Sequence, residues 1–214
     1  MSRRSPSRPA GETACFLSHR ECWKRVVEAD LPFAVIFVDD VHFGADAGNL
    51  FQTGNWVPEG ADIIKLETMR RRVKIDKSAV AFVGNRSLHR LRGFHAGAAA
   101  YIVTRCGAEK LLTESEKFAA PVDHFMFDFG PSDTKAFSIF QLVPAICCQD
   151  FFLRDARPTI GLGSDLHDER TIKPVGFRKG IREVKRPFSQ LFDLFRCTKN
   201  NILTETRWTI IPFA

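Results

Sequence analysis

The chain has 214 residues, of which 44% are hydrophobic and 26% are charged, and this composition indicates one globular domain rather than a disordered or fibrous protein. It contains no run of about 18 or more apolar residues, so we expect no transmembrane helix. Residues 1–10 are basic but lack an apolar segment, which excludes a typical secretory signal and favours a cytoplasmic protein.

The net charge of +6 comes largely from local clusters of basic residues. A solvated surface is the plainer interpretation, and contact with the phosphates of a nucleotide or an anionic lipid surface is the functional one. Nucleic acid is disfavoured as a partner, because the clusters lack the regular aromatic residues of single-strand binders. The cysteines form no CxxC pair and are expected to remain reduced thiols. The basic clusters lie at residues 3–8, 70–72 and 178–186.

The predicted elements begin after a disordered basic start at residues 1–10. Apolar residues recur at helical spacing between residues 11 and 30, which predicts an amphipathic helix. A strand follows at 33–38, and Asp46 could cap a short helix that ends near Phe51. Residues 53–60 read as a loop because of their glycine and proline content.

The second half of the chain alternates strands and helices in the same way. Thr104 is placed to cap a helix at 105–118, and Pro121 opens a further helical stretch. This alternation predicts an α/β architecture, with a sheet flanked by helices. The remaining strands of the chain are predicted at 61–67, 79–84, 98–104 and 135–144.

Two adjacent aspartates, Asp39 and Asp40, directly follow the apolar strand at 33–38. Neighbouring carboxylates repel each other unless a cation or a proton shares the site. Ligands of open α/β sheets gather beyond the carboxyl ends of strands, where Mg²⁺ or Mn²⁺ is usually held by carboxylates together with substrate phosphates. Alternatively, the two aspartates only begin a turn or cap the next element. Both interpretations stay open at this point.

A third carboxylate, Asp123, lies two residues after Pro121, near the start of a predicted helix. The helix dipole favours an ionised carboxylate there, and such a group could accept a proton from a hydroxyl nucleophile. Helix capping by the same charge is the plainer explanation. Of the histidines, His19 is expected to be structural within the first helix, whereas His124 could face either the core or a cleft, and His167 lies in a polar loop.

Several common catalytic motifs are absent from the sequence, namely GxGxxG, the P-loop, GxSxG and HExxH. Five other segments, in this order, resemble blocks of glycosyltransferase family 25, and the resemblance covers residues 11–167. The segments are "GETACFLSHRECW", "FAVIFVDDV", "AAAYIVTRCGAEKLL", "PVDHF" and "LVPAICCQD" followed by "GLGSD".

This resemblance implies a GT-A-like, Rossmann-like α/β fold and the inverting, metal-assisted transfer of a galactose-type sugar from a nucleotide-sugar donor such as a UDP-sugar. The acceptor would be a growing lipopolysaccharide or lipooligosaccharide. The family's Glu-Asp-Asp block falls on Val38, Asp39 and Asp40, so the two aspartates would hold Mn²⁺ or Mg²⁺ against the donor diphosphate. Asp123 would be the general base for the acceptor hydroxyl.

Two departures from the family pattern bear on activity. Val38 stands where the family has glutamate, and because side chains two apart on a strand share a face, Asp40 loses a partner carboxylate. His42 has the same two-residue spacing from Asp40 and could substitute for the missing glutamate. The family's N-terminal segment is expected to be missing ahead of Gly11, which would leave a sheet edge open to a partner or a second copy.

We therefore expect a glycosyltransferase-like domain at residues 11–170 and a basic tail at 171–214 with a short amphipathic helix at 188–195. The protein would work at the cytoplasmic face of the inner membrane, where the tail contacts anionic lipid. The alternative is a catalytically impaired, truncated homologue that binds glycans or partners without turnover. Val38 favours that alternative, whereas the three aspartates favour the enzyme.

Overall fold

The computed structural model describes residues 10–52, 54–117, 120–128, 137–153, 198, 201 and 203–214. The helices are α1 (Ala10–Glu28), α2 (Ala47–Leu50), α3 (Arg105–Glu114), α4 (Val122–Phe127) and α5 (Asp150–Leu153), with one 3-10 turn (Ser115–Lys117) after α3. The strands are β1 (Phe33–Phe37), β2 (Val41–Phe43), β3 (Ile63–Lys65), β4 (Arg72–Val83), β5 (Arg86–Leu91), β6 (Ala100–Thr104), β7 (Ile139–Val143), β8 (Cys147–Gln149) and β9 (Thr206–Ile210).

The main sheet has seven strands in the order β1-β6-β3-β7-β5-β4-β9, and β2 and β8 form a separate two-stranded ribbon. Only β3 and β7 pair in parallel, and the other neighbours are antiparallel. Because β1, β3 and β7 run in the same direction, their carboxyl ends meet the start of β6 at one edge. The predicted mixed α/β sheet is confirmed.

Two hydrophobic clusters cover the two faces of the sheet. Helices α1, α3 and α4 pack on one face, where they contribute Trp23, Leu111 and Phe127 to the first cluster. The second cluster lies on the opposite face, around α2 and the loop that follows it. Ile63 belongs to the first cluster and its neighbour Ile64 to the second, as expected for side chains that alternate along a strand.

The helices that flank the sheet follow from local sequence signals. Buried residues of α1 recur at helical spacing, and the predicted cap at Thr104 is confirmed, since its hydroxyl accepts a hydrogen bond from the Gly107 amide at 3.1 Å. A side chain at Gly107 is excluded, because its Cβ would lie 2.2 Å from the Asp62 carbonyl oxygen. No helix in the described ranges is long and apolar enough to cross a membrane.

The strand that was predicted at 79–84 is longer in the structure. β4 begins at Arg72, and the charged residues before position 79, which suggested a connection, belong to it. In that part of β4, Val73 and Ile75 are buried while their neighbours are at least partly exposed, so the strand alternates between core and solvent. β5 follows after a tight turn and pairs with β4 in antiparallel fashion.

The end of the chain contributes an edge strand to the sheet. β9 pairs with residues 72–76 of β4 in antiparallel register. The prediction placed all of 171–214 in a tail, whereas these last residues pack as part of the sheet. The predicted amphipathic helix at 188–195 lies outside the described residues, as do the basic start at 1–9 and His167.

The expected cap at Asp46 has a different role in the structure. Asp46 does precede α2, but its side chain makes no capping hydrogen bond. Its carboxylate instead forms an ion pair with Arg86, whose side chain is almost fully buried. A buried guanidinium needs a charged partner, and this requirement outweighs the capping preference of a four-residue helix.

Candidate functional site

The candidate site lies at the sheet edge where β1 ends and β6 begins. The turn after β1 contains Asp39 and Asp40, and the loop before β6 runs close to it, since the Val38 amide donates to the Ala99 carbonyl at 2.9 Å. Two residues earlier in this loop, the Gly97 amide donates to Oδ2 of Asp123 at 3.1 Å. The loop therefore connects the aspartate turn with the third predicted site residue.

The two adjacent aspartates have different surroundings. Asp39 is exposed, whereas Asp40 is only 9% exposed. The Gln149 side-chain amide lies 3.1 and 3.0 Å from the two carboxylate oxygens of Asp40, and the Asp150 amide donates to the Asp40 carbonyl at 2.9 Å. The end of β8 thus holds Asp40 in place and leaves Asp39 free to meet a ligand from solvent.

The donor set around these aspartates fits a divalent cation only with help from a substrate. Within the described ranges, no group of three or more histidine, cysteine, aspartate or glutamate side chains is arranged to hold a metal ion. Asp39 and Asp40 supply two hard carboxylates, the number that Mg²⁺ usually takes from a protein when phosphate oxygens complete its shell. They would hold such an ion together with a diphosphate.

His42, which could have replaced the missing glutamate, is hydrogen-bonded to a residue other than Asp40. Its Nε2 is hydrogen-bonded to Oδ1 of Asp150 at 2.9 Å. Val38 is half-buried and holds the turn through its backbone amide. The structure therefore brings His42 to Asp150, and it places no third carboxylate at the position of Val38.

Asp123 is half-buried at the start of α4, as the proline before it predicted. Its Oδ1 accepts a hydrogen bond from the His124 amide at 2.9 Å, while its Oδ2 is bonded to the loop at Gly97. The first contact is local to the helix start, but the second ties the carboxylate to the sheet edge. A partly exposed carboxylate held in this way can accept a proton from a nearby hydroxyl.

An exposed aromatic pair lies beside Asp123. The rings of Phe94 and His124 are 4.6 Å apart between centroids and tilted by 32°, and Phe94 is 38% exposed. His124 follows Asp123 directly and faces solvent, which answers the question of whether it faces core or cleft. The Phe94 ring gives this side of the site an exposed apolar surface.

A fully buried ion pair contacts the loop before β6, and it was not predicted from the sequence. Lys65 Nζ lies 3.3 Å from Oε1 of Glu67, and neither side chain is exposed. Burial lowers the pKa of Lys65 and raises the pKa of Glu67, and each charge partly offsets the effect on the other. Two charged residues, two apart, in the apolar segment 61–67 were the available signal.

His19 is structural, as expected. Its Nδ1 lies 2.8 Å from Oη of Tyr101, which also accepts a hydrogen bond from Trp23 Nε1 at 2.9 Å. Burial lowers the pKa of His19 to about 4, with a smaller opposing effect of the Asp123 charge, so the imidazole is neutral near pH 7. His19, Trp23 and Tyr101 thus link α1 to β6 through hydrogen bonds.

The seven-stranded mixed sheet flanked by helices is consistent with a Rossmann-like glycosyltransferase fold. Residues 8–126 match Glycosyltransferase family 25 (LPS biosynthesis protein), and the chain belongs to this family.

Similarity to individual proteins extends beyond that segment. The chain is 32% identical over 198 residues to the lacto-N-neotetraose biosynthesis glycosyltransferase LgtE of Neisseria meningitidis serogroup B, a match that covers 86% of this chain and 66% of LgtE. It is 33% identical over 174 residues to LgtB of Neisseria meningitidis serogroup A, covering 75% and 61% of the two chains. It is 29% identical over 175 residues to the lipooligosaccharide biosynthesis protein lex-1 of Haemophilus influenzae, covering 76% and 57%. The chain thus spans less than two thirds of the length of these relatives.

Proposed function

We propose that this protein transfers a sugar from a nucleotide-sugar donor to a saccharide of lipooligosaccharide or lipopolysaccharide. The observation that carries the proposal is the loop at one sheet edge that joins the aspartate turn at Val38 to the carboxylate of Asp123. Family membership and the biosynthetic roles named for LgtE, LgtB and lex-1 support the substrate class. The donor is a UDP-sugar of galactose type.

In the proposed reaction, Asp39 and Asp40 would hold Mn²⁺ or Mg²⁺ beside the donor diphosphate. A bound divalent ion would neutralise charge on the departing diphosphate. Asp123 takes the proton from the acceptor hydroxyl, whose oxygen forms a bond to the anomeric carbon as the bond to the diphosphate breaks. The nucleoside diphosphate leaves and the proton stays on Asp123. Attack opposite the leaving group inverts the anomeric configuration.

The acceptor sugar is proposed to bind against the aromatic pair beside Asp123. Phe94 presents an exposed ring there, and flat apolar rings complement the C–H faces of a pyranose. This placement brings an acceptor hydroxyl within reach of the proposed base. It also separates the acceptor from the aspartate turn, where the donor diphosphate binds.

The proposed location is the cytoplasmic face of the inner membrane, in contact with anionic lipid. The net charge of +6 and the exposed arginines at 70–72 support electrostatic attraction to such a surface. Within the described part of the chain, β1 is an outermost strand of the sheet and has a neighbour on one side only. A second copy or another strand could therefore pair with its other side. Homo-oligomerisation through β1 is therefore part of the proposal.

A second function is favoured by one specific observation. Val38 occupies the position of the family's glutamate, and the neighbouring Asp40 already accepts hydrogen bonds from Gln149. A site with one carboxylate fewer would bind metal weakly, and the protein would then bind glycans or partners without turnover.

Transfer assays distinguish the two functions. The purified chain is incubated with a panel of UDP-sugars and a lipooligosaccharide acceptor, with and without Mn²⁺, and the product linkage is determined by NMR. Metal-dependent transfer with inversion is the expected result. If the protein binds glycans but neither transfers sugar nor hydrolyses the donor, the second function is favoured. If it binds neither UDP nor glycans, both proposed functions are contradicted.

A further inference from the structure

The ammonium group of Lys65 shapes the loop at the sheet edge. Its Nζ donates to three consecutive carbonyl oxygens, those of His95 at 2.9 Å, Ala96 at 3.0 Å and Gly97 at 2.6 Å. An ammonium group has three N–H donors, a number that matches these three carbonyls. Three successive carbonyls that converge on one point require a tightly curved backbone. The buried side chain of Lys65 therefore sets the curvature of this loop.

The amide groups of the same loop point to other parts of the site. The Gly97 amide donates to Asp123, and the Ala99 amide donates to Oε1 of Glu67 at 2.8 Å. Glu67 is also the ion-pair partner of Lys65. One buried pair thus holds the loop through its carbonyls and through an amide, while the Gly97 amide remains directed at Asp123.

Gly97 is the residue at which these contacts meet, and a side chain at this position would be strained and crowded. Its φ is +85°, in the left-handed region that favours glycine. A Cβ at this position would lie 3.0 Å from both Oε2 of Glu67 and Sδ of Met69. The Glu67 carboxylate therefore packs directly against the backbone that contacts Asp123.

Stability alone does not explain a buried charge pair at this place. Removing two charges from water is costly, and apolar residues of similar volume often stabilise a fold equally well or better. The neighbouring positions of β3 are occupied by isoleucines, so the surroundings would accept an apolar side chain. What an apolar residue cannot do is donate hydrogen bonds to three carbonyls.

We propose that Lys65, with Glu67 as its partner, is a positioning residue that aims Asp123 at the acceptor by fixing the loop at His95–Ala99. The inference rests on the proposed transfer reaction, in which Asp123 is the base. Lys65 itself touches neither substrate, because its side chain is fully buried.

The test uses two variants and one control. Lys65→Met removes the ammonium group and leaves Glu67 unpaired, whereas Lys65→Met with Glu67→Gln removes both charges at similar volume and keeps the core neutral. The control is Lys110→Met, which removes another lysine–carboxylate pair, since Lys110 Nζ lies 2.9 Å from both oxygens of Asp62. Only the variants at Lys65 remove donors from the loop.

The first measurement does not depend on activity. Hydrogen exchange of individual amides, followed by NMR, should be about tenfold or more faster at Gly97 and Ala99 in both Lys65 variants, and unchanged there in Lys110→Met. The double variant addresses the case in which Lys65→Met fails to fold. Unchanged exchange at Gly97 in the folded double variant would overturn the proposal.

The second measurement separates positioning from a merely structural role. In the double variant, kcat for transfer should fall about tenfold or more while KM for the UDP-sugar changes less than about threefold, because β8 still holds Asp40. Faster exchange with unchanged kcat would overturn the positioning role and leave the proposed function intact. Absence of transfer by the unaltered chain would overturn the proposed function and the role of the loop in it, and the exchange data would still decide whether Lys65 shapes the loop.

Discussion

Gln149 and Asp40 are 109 residues apart in the chain, yet the Gln149 amide nitrogen contacts both carboxylate oxygens of Asp40, at 3.1 and 3.0 Å. This contact places an uncharged side chain against one of the two aspartates of the proposed metal site. It follows that the site can be altered at Gln149 as well as at Val38.

Gln149→Glu should create a site that binds Mn²⁺ without nucleotide. The new carboxylate would face that of Asp40 at hydrogen-bond distance, where two negative charges need a shared cation or proton. We expect Mn²⁺ affinity in the absence of UDP to rise about tenfold or more, measured by calorimetry or by the EPR signal of free Mn²⁺. Gln52→Glu, at an exposed position after α2, is the control and should leave the affinity unchanged. Equal affinities in the two variants would contradict the geometry.

Asp40→Asn should abolish Mn²⁺-dependent binding of UDP. The substitution keeps the size of the side chain but removes the charge that would attract the cation, and a coordinated diphosphate is lost with it. Calorimetric titration with UDP, with and without Mn²⁺, measures the effect. Asp76→Asn is the control, because Asp76 lies on β4, away from the aspartate turn, and pairs with Arg92. UDP binding at full strength by Asp40→Asn would remove this residue from the donor site.

Asp123→Asn should spare donor binding and block transfer. Asparagine can still accept the Gly97 hydrogen bond, but it cannot accept a proton from the acceptor hydroxyl. Loss of a general base lowers kcat by about 10²- to 10⁴-fold. Single-turnover transfer measures the chemical step, and UDP titration serves as the control for an intact donor site. A variant with unaltered kcat would show that another group is the base.

Much of the fold and part of this site could be predicted from local sequence. The apolar run that ends in Asp39 and Asp40, the cap at Thr104 and the proline before α4 are all signals within a few residues. β9 could not be assigned in this way, because its partner β4 lies more than a hundred residues away in the chain.

The supporting residues of the site depend on packing that short patterns do not encode. The charges of Lys65 and Glu67 stand out in the apolar segment 61–67, but only the packing on both faces of the sheet shows that they form a buried pair. Gln149 reaches Asp40 through the ribbon of β2 and β8, whose strands are three residues long. Such short strands carry too little periodicity to be recognised.

Phe94→Ala should weaken acceptor binding with little effect on the donor. The substitution removes the exposed ring that is proposed to stack on the acceptor sugar beside Asp123. We expect KM for the lipooligosaccharide acceptor to rise about five- to tenfold, the loss of about 1 kcal/mol that such ring contacts contribute. Phe82→Ala is the matched control, since Phe82 is 76% exposed on β4. Equal acceptor KM values for both variants would place the acceptor elsewhere.

The neutral state of His19 predicts a loss of stability in acid. Its pKa is about 4 in the folded protein, below its ordinary value of 6.5. The unfolded chain therefore binds more protons between these two values, and stability falls as the pH drops from 6.5 to 4. The difference of roughly 2.5 pKa units corresponds to about 3 kcal/mol in the free energy of unfolding.

Urea unfolding at pH 7 and pH 4 measures this effect against the variant His19→Gln, which keeps a hydrogen-bonding partner for Tyr101 but does not titrate. Buried His95 also has a lowered pKa and weakens both proteins in acid, so the comparison isolates the contribution of His19. The unaltered protein should lose about 3 kcal/mol more than the variant between the two pH values. An equal loss in both would mean that the pKa of His19 is the same in the folded and unfolded protein, and His19 would then not be the source of the acid sensitivity.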